Sequence, residues 1–317
     1  MKNLSSILFA VTAGQDNRAP LERAVSLAEN NQARLTVVDV LPPLPARLQV
    51  PGGVDDLQAA MVLERLQMLQ AHTAPHQQRL HIEHEVLVGT SFLEIIRAVL
   101  RGGHDLLLKP AENPSVLQRL FGSDDMHLLR KCPCPVWLTG PEEKADYGCI
   151  VAAVDFDLEK SDVPDALHEQ ILALSASLAL SDFAALHLVH AWEAPGELMV
   201  RTWSNNPGED VASYVQGERA RHQKGLDALR ERLRERLGAE AFDFVSPQFH
   251  LRQGSAVTVI PELAKQLEAD LVVMGTVART GIAGLLIGNT AESILEQLQC
   301  SVLAVKPAGF VTPVAAG

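Results

Sequence analysis

The chain has 317 residues, enough for two domains of ordinary size. Its formal net charge of −12 argues against a general nucleic-acid or anionic-membrane surface, because binding phosphates requires clustered Lys and Arg; a local basic patch stays open. Hydrophobic residues make up 47% and aromatic residues 4%, so Val, Leu, Ile and Ala must fill the core, as is typical of parallel strands covered by helices.

The sequence also lacks the long apolar segments that membranes require. It contains no run of about 18 apolar residues, so no membrane span is expected. The first stretch, MKNLSSILFAVTAGQD, lacks the longer apolar region and small-residue cleavage site of a secretion signal. We therefore interpret its apolar run as a first strand and expect a cytoplasmic protein.

In chain order, the first half alternates strand and helix patterns. Short apolar runs predict strands at residues 7–11, 33–40, 83–89 and 104–109. Periodic apolar positions predict three helices, one striped by Leu21, Ala24, Val25 and Ala28, one from about Asp55 to His72, and one over residues 92–100. The segment HLLRKCPCPVWL then follows Gly122-Ser123.

The second half repeats this order. Strands are predicted at residues 149–156, 185–192 and 270–275, and SVLAVKP ends the repeat. Helical stripes are formed by Leu167, Ile171, Leu174 and Leu178, by Leu226, Leu229, Leu233 and Leu237, and by residues 256–267. Gly254-Ser255 matches Gly89-Thr90, and Cys300 follows Cys134 at an offset of 166 residues. The chain is therefore an internal tandem repeat.

The repeat predicts the fold class. Strands that alternate with helices of ten or more residues form right-handed βαβ units and a parallel sheet. We predict an α/β protein of two tandem five-stranded parallel-sheet domains, residues 1–143 and 144–317, with a boundary in the short polar segment 140–148. Because that linker is short, we expect the halves to pack on each other.

The four cysteines, Cys132, Cys134, Cys149 and Cys300, do not form a zinc motif. A zinc site needs about four ligands, and Cys132-Pro133-Cys134 stands alone in the sequence. We predict no metal site, and we interpret the pair as small apolar residues at the start of a strand.

One loop in the second half could bind a ligand. In open parallel sheets, ligands lie at the carboxyl ends of the strands, and Gly275 ends one of them. Gly288-Asn289-Thr290 begins the next helix, where free N–H groups favour an anion. The alternative is a ligand-free helix cap, with Glu292 completing a capping-box-like arrangement. Neither the P-loop nor the G-x-G-x-x-G motif occurs.

At these residues the second half resembles the universal stress protein family. The family signature after the fourth strand is G-x2-G-x9-G-[ST], and the corresponding positions here are Gly275, Ala278, Gly288 and Asn289. Family members often carry an Asp near the end of the first strand, where this sequence has Asp155. The order of elements fits over nearly the whole chain, twice, so the tandem type is the closest resemblance. The resemblance implies domains of the adenine-nucleotide alpha hydrolase-like, or Rossmann-like, kind.

The resemblance also implies a regulatory ATP site in the second domain, with Mg²⁺ as a candidate companion ion. Asp155, Ala153 and Ala191 would line the base, and Met274 and Gly275 would border the ribose and phosphates. Gly288, Asn289 and Thr290 would hold the phosphate tail, near Ala278 and Arg279. An exposed, solvated Arg279 is the simpler alternative. In family dimers the last strands commonly pair, so we expect residues 136–139 and 302–306 to meet near an approximate two-fold axis.

The first half departs further from the family. Thr12 stands where the strand-one Asp would be. Lys109-Pro110 stands at the first glycine position, and Glu112 or Asn113 near the second. Only Gly122-Ser123 survives, so we interpret this half as a packing partner without a nucleotide.

We interpret the histidines and the charged helix as structural features and not as binding sites. His81 and His84 lie in a predicted edge strand, and His187 and His190 are three apart, so they point to opposite faces and cannot share a metal. The Arg/Glu-rich helix is interpreted as a solvated face, with a protein partner as the alternative. No catalytic residues are assigned.

We expect a cytoplasmic stress-response protein that catalyses slow ATP hydrolysis at most, either as an internal pseudo-dimer or as a homodimer. The rival hypothesis is a scaffold that binds another small molecule or a protein. An α/β enzyme such as a nucleotidyl transferase is less favoured, because its phosphate motifs are absent.

Overall fold

A computed structural model describes residues 4–49, 53–112, 123–140, 143–144, 146–156, 166–276, 287–307 and 309–316. The chain divides into two compact units. The first comprises residues 1–146, 276–288 and 299–317, and the second comprises residues 147–275 and 289–298. The end of the second sequence repeat therefore belongs to the first unit. No helix among the described residues is long and apolar enough to cross a membrane.

The first unit contains the elements of the first repeat and one strand of the second. In chain order these are β1 (Ser6–Ala10), α1 (Arg18–Asn31), β2 (Arg34–Leu41), α2 (Val54–Thr73), β3 (Ile82–Val88), α3 (Ser91–Gly102), β4 (Leu106–Pro110), α4 (Asp124–Lys131), β5 (Val136–Thr139) and the last strand, β10 (Ser301–Val305).

The second unit contains the other elements of the second repeat. They are β6 (Cys149–Ala153), α5 (Ala166–Asp182), β7 (Ala185–Trp192), α6 (Glu197–Trp203), α7 (Pro207–Leu237), α8 (Ala239–Val245), β8 (Gln248–Gln253), α9 (Ala256–Gln266), β9 (Leu271–Gly275) and α10 (Asn289–Leu295).

The strand order places the opening strand of each repeat in the middle. In the first unit the order is β3-β2-β1-β4-β5-β10, and in the second it is β9-β6-β7-β8. The pairs within each repeat are parallel. The predicted α/β fold, with five strands from each repeat in a mostly parallel arrangement, is confirmed. In each repeat the order reverses beside the first strand, which is where open parallel sheets bind ligands.

The last strands of the two repeats pair with each other. β5 and β10 are antiparallel, with Val136 opposite Ala304, Trp137 opposite Leu303 and Leu138 opposite Val302. This pairing confirms the expectation that the last strands meet, and it is consistent with an internal pseudo-dimer. All residues of both strands are buried, because helices cover their faces and each strand covers the other's edge.

The core follows from sequence composition. β1, β4 and β10 are buried along their whole length, as expected for parallel or centrally placed strands made of Val, Leu, Ile and Ala. α3 carries a strong apolar stripe, which buries Ile95, Ile96 and Val99 against the sheet. Trp137, only 1% exposed, is the largest fully buried side chain in this core.

We predict that Trp137→Ala lowers the free energy of unfolding by about 3–5 kcal/mol, because it leaves a cavity between β5 and its neighbours. Trp203→Ala is the matched control, since the Trp203 residue is 82% exposed on α6. Both are measured by denaturant unfolding followed by far-ultraviolet circular dichroism. A Trp137 variant as stable as the Trp203 variant would contradict the role of β5 in the core.

Candidate functional site

The first repeat contains a cavity of about 730 Å³. It lies at the carboxyl ends of β1 and β2, beneath the start of α1 and the last turns of α2. This is the edge of a parallel sheet at which ligands are commonly bound. Apolar side chains dominate its wall, including Phe9, Val11, Leu21, Val37, Met68 and Leu69. No ligand site was predicted in this half from the sequence.

A buried ion pair lies in the wall of this cavity. The Nε atom of Arg65, on α2, is 2.9 Å from a carboxylate oxygen of Asp39, on β2. The Asp39 side chain is 5% exposed and that of Arg65 is 33% exposed. Burial raises the pKa of Asp39, while Arg65 and the Val40 N–H act in the opposite direction. The pair places a strongly polar position with no net charge in a mostly apolar wall. Other charged or titratable side chains that line the cavity are Asp16, Arg18, Glu22, His72 and His76.

The loop after β1 satisfies its own polar groups. The N–H of Thr12 donates to the side-chain oxygen of Asn17 (2.9 Å), and the Asn17 amide donates to the carbonyl oxygens of Thr12 (3.0 Å) and Gln15 (2.9 Å). The Thr12 hydroxyl donates to the carbonyl oxygen of Pro110 at 2.8 Å. Thr12, which replaces the family's Asp, therefore ties β1 to β4, and this rim of the cavity is fixed by internal hydrogen bonds.

After β4, a buried lysine of the first repeat forms an ion pair with an aspartate of the same repeat. The ammonium of Lys109 lies 2.7 Å from a carboxylate oxygen of Asp125, at the start of α4, and both side chains are almost fully buried. The other Asp125 oxygen accepts the Glu112 N–H at 2.7 Å. Ser123 caps α4 by accepting from the Met126 N–H. The Lys109 charge is thus used inside the fold. Asn113 and Gly122 lie outside the described residues.

In the second repeat, the base-side residues of the predicted nucleotide site lie at one sheet edge. Ala153 ends β6 and pairs with Val189 of β7, so Ala191 lies two residues further toward the same edge. The Asp155 carboxylate is 64% exposed, and one of its oxygens is 3.8 Å from Nδ1 of His190. The Asp155 N–H donates to Nε2 of His168 at 3.0 Å.

Aromatic side chains surround Asp155. Phe156 stacks on His190 with ring centroids 3.9 Å apart. Nε2 of His190 is 2.8 Å from Nδ1 of His222, on α7, and the His222 ring contacts Trp192. Because two imidazoles sharing a hydrogen bond require a neutral acceptor, at least one of the pair carries no charge. Phe156, His168 and His222 were not predicted as part of this region.

The phosphate-side residues are partly occupied by protein contacts. Met274 is buried, and a methyl group on Gly275 would lie only 2.8 Å from the side chain of Leu167. The Gly288 N–H donates to the Thr276 carbonyl oxygen at 2.9 Å, so it is already used. Asn289 and Thr290 begin α10 and are exposed. Ala278 and Arg279 lie outside the described residues.

Three further histidines, His84, His187 and His250, make hydrogen bonds away from this region. Nε2 of His84, on β3, is 2.6 Å from the Thr73 hydroxyl. Nδ1 of His187 is 2.9 Å from Nε2 of His250 on the neighbouring strand, whereas His190 contacts His222. Among the described residues no group of three or more His, Cys, Asp or Glu side chains is arranged for a metal ion.

Comparisons with known proteins agree with this architecture. The universal stress protein family matches residues 4–140 and again residues 147–306. Universal stress protein E of Escherichia coli K12 is 30% identical over 99% of this chain and 98% of its own length. A crystal structure of a Pseudomonas aeruginosa PAO1 protein of unknown function covers 96% of this chain and 93% of that one, with a TM-score of 0.68 and 26% identity. A more distant universal stress protein, 17% identical over 44% of this chain and all of its own length with a TM-score of 0.34, was solved in complex with cAMP.

We predict that Lys109→Met lowers the free energy of unfolding by about 3–5 kcal/mol, because it leaves the Asp125 carboxylate buried without its cation. The double variant Lys109→Met/Asp125→Asn should recover much of this loss, since Asn keeps an acceptor for the Glu112 N–H. Lys265→Met, at an exposed position on α9, is the control and should change the free energy by less than about 0.5 kcal/mol. Additive single effects in a double-mutant cycle would contradict the coupling.

Stability should fall as the solution is acidified from about pH 7.5 to about pH 5.5. Burial lowers the pKa of several histidines: His84, His104, His127, His187, His222 and His250. In the unfolded chain imidazoles take up protons near pH 6.5. The unfolded state then binds more protons than the folded state, so the free energy of unfolding decreases as the pH falls through this window.

The measurement is the thermal unfolding midpoint of the full chain across this window. His250→Gln should flatten the pH dependence, because it removes one imidazole whose pKa is lowered by burial and keeps a polar partner for His187. Gln216→Ala, at an exposed position on α7, removes no titrating group; it is the control and should leave the slope unchanged. A midpoint that rises on acidification would refute the assignment.

Proposed function

Because the chain belongs to the universal stress protein family, with one family domain over each repeat, we propose that it is a stress-response protein regulated by a small molecule bound in the first repeat. The observation that carries this proposal is the cavity of about 730 Å³ beneath α1 and α2. Its volume lies within the range of about 300–1,000 Å³ of small-molecule sites. Its mostly apolar wall, interrupted by polar groups such as the Asp39–Arg65 pair, also has the composition of such sites.

The lining defines the chemical class of the ligand. Removing apolar ligand surface from water beside Phe9, Val37 and Leu69 is favourable at about 25 cal/mol per Å². The Asp39–Arg65 pair has no net charge, so the polar group that it suits best is neutral, such as a hydroxyl or an amide. Such a group accepts from the guanidinium and donates to the carboxylate. We therefore propose a ligand with a largely apolar body and one neutral polar group.

The crowding of the predicted nucleotide site in the second repeat favours a ligand site in the first repeat. Leu167 lies against Gly275, and Phe156 lies against His190 and against Gly225, where an added methyl group would meet the ring at 2.3 Å. These side chains occupy space beside the predicted nucleotide residues. A ligand there would have to displace them, whereas the first-repeat cavity is already open.

To test the cavity proposal, the purified full chain is titrated with the neutral apolar fluorophore N-phenyl-1-naphthylamine. We expect saturable binding with one site per chain. Met68→Trp places a large ring at the rim of the cavity and should weaken binding at least tenfold. Met199→Trp, a matched substitution at an exposed position on α6, should leave binding unchanged. Equal binding by the two variants would exclude the cavity as the site.

A second candidate function is a regulatory nucleotide site in the second repeat. It is supported by the resemblance at Gly275 and Gly288 and by the exposed Asp155 carboxylate at the end of the opening strand. In this proposal the domains are residues 1–143 and 144–317, and ATP with Mg²⁺ binds beside Asp155, Asn289 and Thr290. The proposal adds slow hydrolysis at most and a cytoplasmic location.

Titration calorimetry with Mg-ATP separates the two candidates. If the second repeat binds the nucleotide, Asp155→Ala and Gly288→Val should each weaken the affinity, whereas Asp243→Ala, at an exposed position on α8, should not. Met68→Trp should leave ATP binding unchanged. No binding at millimolar ATP, together with fluorophore binding, would leave the first-repeat proposal alone.

A further inference from the structure

Two thiols and a buried lysine meet where β5 begins and β10 ends. Cys132 follows α4, Cys134 precedes β5, and their sulfur atoms are 3.6 Å apart. Cys132 is 0% exposed and Cys134 is 6% exposed. Lys306 comes directly after β10 and is 3% exposed. All three belong to the first unit, although Lys306 comes from the second repeat.

The surroundings of Lys306 are backbone and aromatic. Its ammonium donates to the Leu129 carbonyl oxygen and lies 4.9 Å from the centre of the Phe310 ring. Within the described ranges of the chain, no Asp or Glu oxygen lies within ion-pair distance of it. A buried ammonium without an anion is costly, so burial lowers the pKa of Lys306 to about 8, while the two thiols act in the opposite direction.

The two thiols are not equivalent. Burial alone would raise the pKa of Cys132, but the hydrogen bond with Cys134 and the Lys306 ammonium together bring it below its usual value. The same hydrogen bond and burial raise the pKa of Cys134. Cys132 is therefore the thiol of the pair that ionises more readily. A thiolate is the nucleophilic form of cysteine.

We propose that Cys132 and Cys134 form a redox-modification site that hydroperoxides oxidise to an intramolecular disulfide, with Lys306 as the positioning cation. Cys132 is the attacking thiolate, and Cys134 resolves the intermediate. An adjacent resolving thiol, here 3.6 Å away, is a recognised feature of redox-sensing cysteines. Such cysteines are also solvent-accessible, whereas both of these thiols are buried, so their oxidation proceeds from a locally opened state. Hydrogen peroxide is the smallest oxidant of this class and therefore needs the least opening of the core to reach Cys132.

The chemistry balances over two steps. The Cys132 thiolate attacks one peroxide oxygen, an S–O bond forms, the O–O bond breaks, and hydroxide leaves and takes up a proton to become water. Cys134 then loses its proton and attacks the Cys132 sulfur. The S–S bond forms, the S–O bond breaks, and a second water leaves. Two thiols and one peroxide thus give one disulfide and two waters, and the peroxide is the only oxidant.

Oxidation also removes the ionisable Cys132 thiol, which interacts electrostatically with Lys306. The disulfide carries no charge, so the buried ammonium must lose its proton or leave the core. Since Lys306 adjoins β10, we expect the oxidised protein to melt at a lower temperature than the reduced protein. A disulfide closing so short a loop restricts the unfolded chain only slightly, which leaves this destabilisation as the larger effect.

The experiment oxidises the full-length reduced protein with hydrogen peroxide and maps the products by tryptic mass spectrometry. Cleavage after Lys131 and Lys144 gives one peptide, residues 132–144, that contains both cysteines and no others. We expect a loss of two hydrogens in this peptide that dithiothreitol reverses. Cys134→Ser should accumulate a dimedone-reactive sulfenic acid at Cys132, and Cys132→Ser should leave Cys134 unreacted. Cys149, whose pKa burial raises to about 11, is the internal control.

Lys306 is tested by a readout that a merely structural role would not change. Lys306→Met should slow the formation of the disulfide about tenfold and should abolish the difference in melting temperature between the oxidised and reduced forms. Lys265→Met should change neither. If Lys306→Met does not fold, peptide mapping of the oxidised wild type and of Cys134→Ser still tests whether the disulfide forms. Oxidation of Cys149 before the 132–144 peptide, or equal rates in Lys306→Met and Lys265→Met, would overturn the proposal.

Discussion

The antiparallel pairing of β5 with β10 is the interaction on which the rest of the fold depends. A strand at the end of a sheet exposes unpaired N–H and C=O groups, and both of these strands are too apolar to remain exposed to water. By pairing the last strand of each repeat with that of the other, the chain removes both edges at once. Side-chain contacts secure the junction, since the Ser301 hydroxyl accepts the Gly140 N–H and donates to Glu143.

Buried charge follows a consistent rule in the first unit. Lys109 is neutralised by Asp125, and Arg65 by Asp39. The Arg23 guanidinium lies 3.5 Å from the Glu143 carboxylate, with both side chains buried. Such pairs stabilise a fold weakly but make the loss of one partner expensive. Lys306 departs from this rule, because its buried ammonium donates to the backbone carbonyl oxygen of Leu129 instead of to a carboxylate.

The sequence was sufficient to predict elements whose pattern is local. β7 was predicted over residues 185–192 and is observed over those residues. The predicted strands and long helices of both repeats are observed with shifted ends. α6 was not predicted, because its seven residues carry no stripe and leave Leu198, Met199 and Trp203 exposed. Element identity depends on periodicity along the chain, and a short exposed helix has none to read.

The cavity could not be predicted in the same way. It requires Asp39 on β2 and Arg65 on α2 to meet, and whether a space remains between a helix and a sheet depends on every side chain that fills it. One signal was present, since Asp39 is a lone charge within an apolar strand. The contact of Leu167 with Gly275 could not be predicted either. A glycine motif indicates an accessible backbone, but it does not indicate which side chain packs against that backbone.

The register at the centre of the junction has a consequence for how the chain can evolve. Trp137 faces Leu303, and these two positions are related by the same offset of 166 residues that relates the repeats. In a dimer of identical subunits, each such position would meet its own copy, so every substitution would occur twice at one point. Joined in one gene, the two halves can place an indole against an isobutyl group and adjust each side separately. The covalent link also holds the partners together at any dilution. One half is therefore free to lose, keep or exchange a ligand without the other having to follow.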